Sequence, residues 1–330
     1  QGHRRPRRYG THMVFGGCVR RRCSMTPIVA ITGPTAVGKS SLADMLAIRW
    51  GSEVLSADAM QVYRGMDIGT AKTPADERPV PLRLVDLVDV FQPYSAAQFQ
   101  VDARGEVERL QSEGKTPIFC GGTGLYLRAA LDDMHFPKGE VDDERRERYN
   151  KLAEDLGPLG IHAMLEKRDP RSAEIIHPNN VKRVVRALEM CDEGVSYADQ
   201  AAGFSQHNPF YEHVTFALTM DRARLYERID RRVDVMMGEG LLEEVKGLLD
   251  CGARDALTSM QAIGYKEIIS YLDGECTLSD AVDLIKQRSR RYAKRQISWC
   301  KRDERTRWID LDRMGVEDAL DLIEHEVLKG

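Results

Sequence analysis

Gly33, Pro34, Thr35, Ala36, Val37, Gly38, Lys39 and Ser40 spell a complete GxxxxGK[ST] loop. Its glycines let backbone N–H groups close on phosphate oxygens. Lys39 adds a point charge, the helix that opens behind the loop adds a favourable dipole, and the Ser40 hydroxyl is placed to hold Mg2+. The motif calls for a phosphate ligand without saying whether phosphate is transferred, hydrolysed or released. A carboxylate, Asp58, ends a second apolar stretch that begins at Glu53. Beside a phosphate loop it suits a general base, taking a proton from a nucleophile that attacks a group attached to the bound phosphates. A helix N-cap or turn residue is the plainer reading of the same position. A later apolar stretch, Pro117 to Cys120, runs into Gly121-Gly122-Thr123-Gly124, where many phosphate-loop enzymes carry a metal-holding acid. The Thr123 hydroxyl can donate to a ligand oxygen, or simply cap the helix that follows.

Positioning these groups requires strands that end at one edge of a sheet. Ile28 to Thr32 is short, apolar and β-branched, and Ser41 to Trp50 has helical spacing, so the loop has the strand and helix it needs. Glu53 to Ser56, Leu82 to Val90 and Pro117 to Cys120 read as further strand material, with a helix over Ala96 to Glu113 that stops at Gly114. Strands separated by helices predict an α/β fold, a P-loop parallel sheet core with helices on both faces and ligands at the strand carboxyl ends. From 138 to 206 the strand signal vanishes and charged helical stretches are broken by Gly157-Pro158, Asp169-Pro170 and His177-Pro178, which reads as an inserted all-helical domain. The core is expected over 25–137 and again over 207–330. Val214 to Leu218 rejoins the sheet, and helices follow to the end of the chain, over Arg222 to Met237, Leu241 to Cys251, Ser259 to Leu272 and Ser279 to Cys300.

The 330 residues carry a net charge of −4 and an isoelectric point near 6.1, so any nucleic-acid surface must be local. Two local basic faces exist. Lys182, Arg183 and Arg186 lie in the insertion. Arg288, Arg291 and Arg295 share a helix face that Arg290 and Lys294 widen, with Gln296 and Trp299 nearby. Val282, Ile285, Ser289, Ala293 and Ile297 form the opposite, inward stripe. Such faces serve as solvated surface or as phosphate-backbone contacts, and arginine favours the second. The seven cysteines form no CxxC pair or zinc spacing, which predicts reduced thiols in the cytoplasm, and no run is long enough to span a membrane. Residues 1–24 are arginine-rich and free of acids, and read as a disordered basic extension or an organelle transit peptide.

GPTAVGKS (33–40), DAMQVYRGMDIGTAK (58–72), GGTGLY (121–126), HPNNVKRVVRALE (177–189), QAIGYKE (261–267) and AKRQISW (293–299) together resemble the tRNA dimethylallyltransferase family, in the family's order, from Thr26 to Trp308. The resemblance implies transfer of a dimethylallyl group from dimethylallyl diphosphate to the exocyclic amine of the adenosine 3′ of the anticodon. It makes Asp58 the base and Thr123 a hydrogen-bond partner of the diphosphate. Lys39, Ser40 with Mg2+, and Arg232 would neutralise the leaving group. The loop 33–40 would then cradle diphosphate, with no nucleotide consumed. The anticodon stem-loop would meet Asp58, Ala59, Met60 and Gln61, then Arg146 (or Arg145), Lys182, Arg183 and Arg186, and finally Gln261, Gly264, Tyr265 and Lys266. A monomer is expected. Departures are small: Ala59 stands where the family commonly has Ser, Ser40 replaces a frequent Thr, and Pro81 to Asp86 lacks the family's histidines. No zinc finger of the eukaryotic type follows, which favours a bacterial enzyme. Competing readings are an adenylate dimethylallyltransferase acting on free nucleotides, a P-loop small-molecule kinase, and a tRNA-binding protein without activity.

Overall fold

Every residue of β1 (Ile28–Thr32) is buried, as a strand covered on both faces requires. The computed structural model describes residues 27–136, 144–256 and 258–328. The expected extension 1–24 and the expected boundary at 137/138 lie outside the described residues. With β2 (Val54–Ser56), β3 (Leu82–Arg83), β4 (Ile118–Cys120), β5 (His213–Thr219) and β6 (Arg307–Asp310), β1 forms a parallel sheet in the order β3-β2-β4-β1-β5-β6. Alternate residues feed two cores. Ile28, Ala30, Leu55 and Phe119 face one, Val29, Ile31, Val54 and Ile118 the other.

Helices α1 (Lys39–Trp50), α2 (Ala96–Ser112) and α3 (Gly124–Leu131) alternate with the early strands. The insertion holds α4 (Glu144–Arg168), α5 (Pro170–Ile175), α6 (Val181–Asp192) and α7 (Tyr197–Ser205). After β5 come α8 (Arg222–Glu239), α9 (Leu241–Asp250), α10 (Tyr265–Leu272), α11 (Leu278–Cys300) and, beyond β6, α12 (Val316–Leu328). Helices α1 and α12 cover one face, α2, α9 and α10 the other, and α8 and α11 contribute to both. The termini follow local chemistry: capping boxes open α2 at Ser95/Gln98 and α11 at Thr277/Asp280.

Three sequence expectations are corrected. Leu82 to Val90 supplies only the two residues of β3, an isolated bridge between Tyr63 and Val88, and irregular chain. Ser259 to Leu272 is not one helix, because a short 3-10 turn over Ser259–Gln261 is followed by Gly264 at φ 102, where α10 starts afresh. The chain after β5 is not helical throughout, since β6 adds an edge strand. Among the described residues no helix is long and apolar enough to cross a membrane.

The insertion has a core of its own, in which Tyr149, Ile161 and Leu165 of α4 meet Val184, Val185 and Leu188 of α6. Gly157-Pro158 kinks α4 where the sequence breaks. At its root, Phe210 N donates to Leu131 O and Asp133 N to Asn208 O, both at 2.8 Å. Arg128 on α3 donates to the carbonyls of Phe204 and Gln206 and to buried Asp132, which also receives Arg305 at 2.8 Å.

Glu53, at the entry to β2, gathers Arg83 at 2.7 Å, Arg109 at 2.8 Å and Lys115 at 3.3 Å while only 8% of its side chain is exposed. Burial alone would raise its pKa, but the hydrogen bonds from Arg109, Arg83 and Lys115 outweigh it and bring the carboxyl down to about 2 from 4.5. Its stabilisation is therefore complete above the unfolded value and disappears as pH falls through the folded one. Glu53→Gln should cost about 2 kcal/mol at pH 7. In urea titrations across pH, the gap to the wild type should close between about pH 4.5 and pH 2.

Candidate active site

The loops that leave β1, β2 and β4 emerge side by side because parallel strands all point one way. Backbone hydrogen bonds carry the pairing past the strand ends. Gly121 N reaches Ile31 O at 3.1 Å, Ala57 N reaches Cys120 O at 2.8 Å, and Thr123 N reaches Ala57 O at 3.1 Å. The turns that carry Asp58 and Thr123 are thereby held in register with each other and with the end of β1, from which the phosphate loop departs. Gly33 has φ 132 and a Cβ there would lie 2.7 Å from Leu218 O, so only glycine fits the turn out of β1. Ala36 adopts φ 64, a strained conformation for a side chain, and its carbonyl accepts from Arg228 Nε at 2.8 Å. Lys39 Nζ folds back to Pro34 O at 2.8 Å. Burial pushes the Lys39 ammonium below its ordinary range, and the Arg232 charge adds to this.

Two cavities meet here. One of about 370 Å3 is lined by Thr35, Asp58, Thr123, Arg232, Tyr265 and Tyr292, with apolar patches from Met60, Val233 and Ile285. The other, about 540 Å3, lies over Ala36, Gly38, Lys39 and Ser40 and is walled by Arg228, Arg231 and Arg232. Arg232 borders both. Burial lowers its pKa and the Asp58 carboxylate opposes that shift.

Asp58 Oδ1 accepts from Met60 N at 2.9 Å, which orients the carboxylate as a turn residue does while it lines the cavity. The Thr123 hydroxyl makes no capping bond to α3 and instead accepts from Ala59 N at 3.0 Å. A hydroxyl that accepts there keeps its own proton to donate. The phenol of Tyr292 lines the same cavity, and burial pushes its pKa up to about 12.

Of the positions singled out by sequence, Thr35, Asp58, Ala59, Met60, Thr123, Arg232, Gln261, Gly264, Tyr265 and Lys266 converge on the first cavity. Gln61 is set back, its amide donating to Thr70 O at 3.3 Å and accepting from Ser56 Oγ at 2.8 Å. Arg146 and Arg186 both grip Glu189, which is 2% exposed, at distances of 2.5 and 3.0 Å; Lys182 and Arg183 are exposed on the insertion. The basic face of α11 is also less open than its spacing implies. Arg288 is ion-paired to buried Glu267 and Arg290 to Asp230, and Gln296 is buried. Ser289, grouped with the inward stripe, lines the first cavity, as does Arg295, 5.5 Å above the Tyr292 ring. Sequence reasoning missed Tyr292, Arg228 and Arg231, although the arginines stand in the same Arg228 to Arg232 stretch as Arg232. It also missed Glu244, for which the sequence carries no signal. That carboxylate accepts from the backbone N–H groups of Asp67, Ile68 and Gly69 (2.9, 2.7 and 3.1 Å) and from Tyr265 Oη at 2.6 Å. It pins the 67–70 turn, whose Thr70 carbonyl receives Arg232 at 3.4 Å.

The family model for IPP transferase matches residues 61–303. The chain belongs to the IPP transferase family. A tRNA dimethylallyltransferase of Carboxydothermus hydrogenoformans is 44% identical over 300 residues, covering 90% of this chain and 96% of the relative. Another, from Bacillus subtilis, is 45% identical over 286 residues, covering 86% and 91%. Among solved structures, the full-length tRNA isopentenylpyrophosphate transferase of Bacillus halodurans superposes with a TM-score of 0.68 at 41% identity, covering 92% of this chain and 97% of that one. A eukaryotic dimethylallyltransferase acting on tRNA gives 0.74 at 29% identity, covering 91% and 80%.

In this IPP transferase Glu244 links α9, α10 and the 67–70 turn. Glu244→Ala leaves four donors without their acceptor and should lower stability by about 2–3 kcal/mol, read from urea denaturation midpoints, with Tyr265→Phe costing about 1.

Proposed function

We propose that this chain transfers a dimethylallyl group from dimethylallyl diphosphate to the exocyclic amine of the adenosine 3′ of the anticodon in tRNA, releasing diphosphate. The convergence of Asp58, Thr123 and Arg232 on one cavity that abuts the phosphate loop supports the reading most strongly. Allyl transfer needs charge stabilisation on a leaving diphosphate and a base for one proton. The adenine nitrogen forms a bond to the allylic carbon. The bond from that carbon to the diphosphate oxygen breaks, its electron pair leaves with the diphosphate, and the amine proton passes to Asp58. Thr123, with its proton to give, donates to the departing oxygen. Arg232 and Lys39 meet the growing negative charge, and desolvation strengthens both contacts. The backbone of Gly33 to Ser40 cradles the phosphates at the start of α1.

The residues present fit Mg2+. Among the described residues no group of three His, Cys, Asp or Glu side chains could hold a metal ion. Mg2+ would therefore rest on the Ser40 hydroxyl, diphosphate oxygens and water, a set that this small, water-retaining ion accepts. When bound it supplies further neutralisation of the leaving group.

Around the mouth, Ala59, Met60, Gln261, Gly264, Tyr265 and Lys266 receive the target nucleotide, extruded from its stack, while Gln61 braces the turn behind them. The insertion supplies phosphate contacts through Lys182 and Arg183, while Arg146 and Arg186 brace the helix that carries them. The protein acts as a monomer in the cytoplasm.

Incubating the protein with Mg2+, dimethylallyl diphosphate and unmodified tRNA should add one prenyl group to one adenosine, detected by nucleoside mass spectrometry. Prenylated AMP with unmodified tRNA would point to the free-nucleotide reaction instead, and phosphate transfer from ATP to a kinase. Asp58→Ala should lower turnover by about 10²–10⁴-fold with tRNA binding largely retained. Arg183→Ala should weaken tRNA binding and reduce the slope of log affinity against log salt by about one. An unchanged slope would remove Arg183 from the interface.

A further inference from the structure

Gln296 stands on α11 between Arg295 and Trp299, residues that border the open cavity or solvent, yet it is 6% exposed. Its Oε1 accepts from Thr35 N at 2.8 Å, and its Nε2 donates to Gly122 O at 3.1 Å. Thr35 lies within the phosphate loop, and Gly122 immediately precedes Thr123. One planar amide therefore ties the loop that grips phosphate to the loop that carries the hydroxyl. A carboxylate could accept from Thr35 but has no proton for the Gly122 carbonyl; an ammonium could donate but not accept. The fit is close as well, since a Cβ added at Gly122 would overlap the amide nitrogen. The Thr35 N–H is spent on the protein rather than on a ligand. One turn earlier on the same helix, Tyr292 lines the cavity that Thr123 also lines.

We propose that Gln296 is a positioning residue for allyl transfer: by bonding the phosphate loop to the Thr123 loop, it sets their separation across the carbon–oxygen bond that breaks. The inference rests on the reaction proposed above. It assigns the AKRQISW segment a task inside the site in addition to any contact that its exposed Lys294 and Arg295 make with RNA. Misplacement of a supporting group by an ångström lowers turnover far more than it lowers substrate binding.

Gln296→Met keeps the bulk of the side chain and loses the paired hydrogen bonds. It is expected to lower kcat for tRNA prenylation by about a hundredfold. Inhibition by inorganic diphosphate should weaken about fivefold. The tRNA Kd, from filter binding, should stay within about twofold. Gly122→Ala provides an independent route, because its methyl group evicts the amide while its backbone conformation suits alanine. It should reproduce the kcat loss, and the double variant should be no slower than the slower single variant, within about threefold. If Gln296→Met fails to fold by circular dichroism, Gly122→Ala alone decides the matter by the same three measurements. Full-rate variants, tRNA binding that falls in step with turnover, or a double variant that multiplies the two losses would each overturn the role of Gln296. A wild-type protein that prenylates no tRNA would overturn the functional reading instead, so the two failures are separable.

Discussion

Three backbone hydrogen bonds at the ends of the strands hold the candidate active site together. Ile31 to Gly121, Cys120 to Ala57 and Ala57 to Thr123 extend the sheet into the loops, where side chains would otherwise be free to choose their own positions. Loop residues ordinarily gain mobility as they leave a sheet. Here the first residues after β2 and β4, Ala57 and Gly121, remain part of the ladder. The Asp58 and Thr123 turns thus inherit the rigidity of the most buried part of the fold, and Gln296 ties the phosphate loop to them, the condition for a preorganised electrostatic site.

Elsewhere in the molecule buried carboxylates anchor arginines. Glu189 takes Arg146 and Arg186, Glu267 takes Arg288, and Asp132 takes Arg128 and Arg305. Removing one partner of such a pair leaves an uncompensated buried charge, so these pairs orient more than they stabilise. They also account for the combination of abundant arginine with a net charge of −4. Much of the positive charge is matched locally, Arg231 by Glu227 at 2.8 Å among others, while Arg228 and Arg232 face the cavity over the phosphate loop.

What could be read from sequence was what local physics determines. The phosphate loop, its flanking strand and helix, Asp58 at the end of β2 and the helical insertion all follow from patterns within ten or twenty residues. Long-range partners were out of reach. Nothing near Arg146 announces Glu189, 43 positions away, and nothing near Asp67 announces Glu244, 177 positions away. Gln296 lies among exposed arginines in the chain, and its burial follows only from the fit of α11 against the Gly122 turn. Edge strand β6 escaped notice because Arg307 and Trp308 are exposed and only Ile309 gives a buried signal. Ten of the named site residues converge on one cavity because motifs report on chemistry. The basic patches were less faithful, because arginine spacing alone cannot tell a solvent-facing guanidinium from one tied to a buried acid.

Helix α3 has the dimensions of a short strut. Its eight residues span about 12 Å at 1.5 Å per residue. At one end is the Thr123 turn; near the other, Arg128 grips the carbonyls of Phe204 and Gln206, where the insertion rejoins the core. A strut so short transmits displacement instead of absorbing it. Any tilt of the insertion about its root would be delivered to the Thr123 turn with little loss, which places the insertion and the Thr123 end of the candidate site mechanically in series.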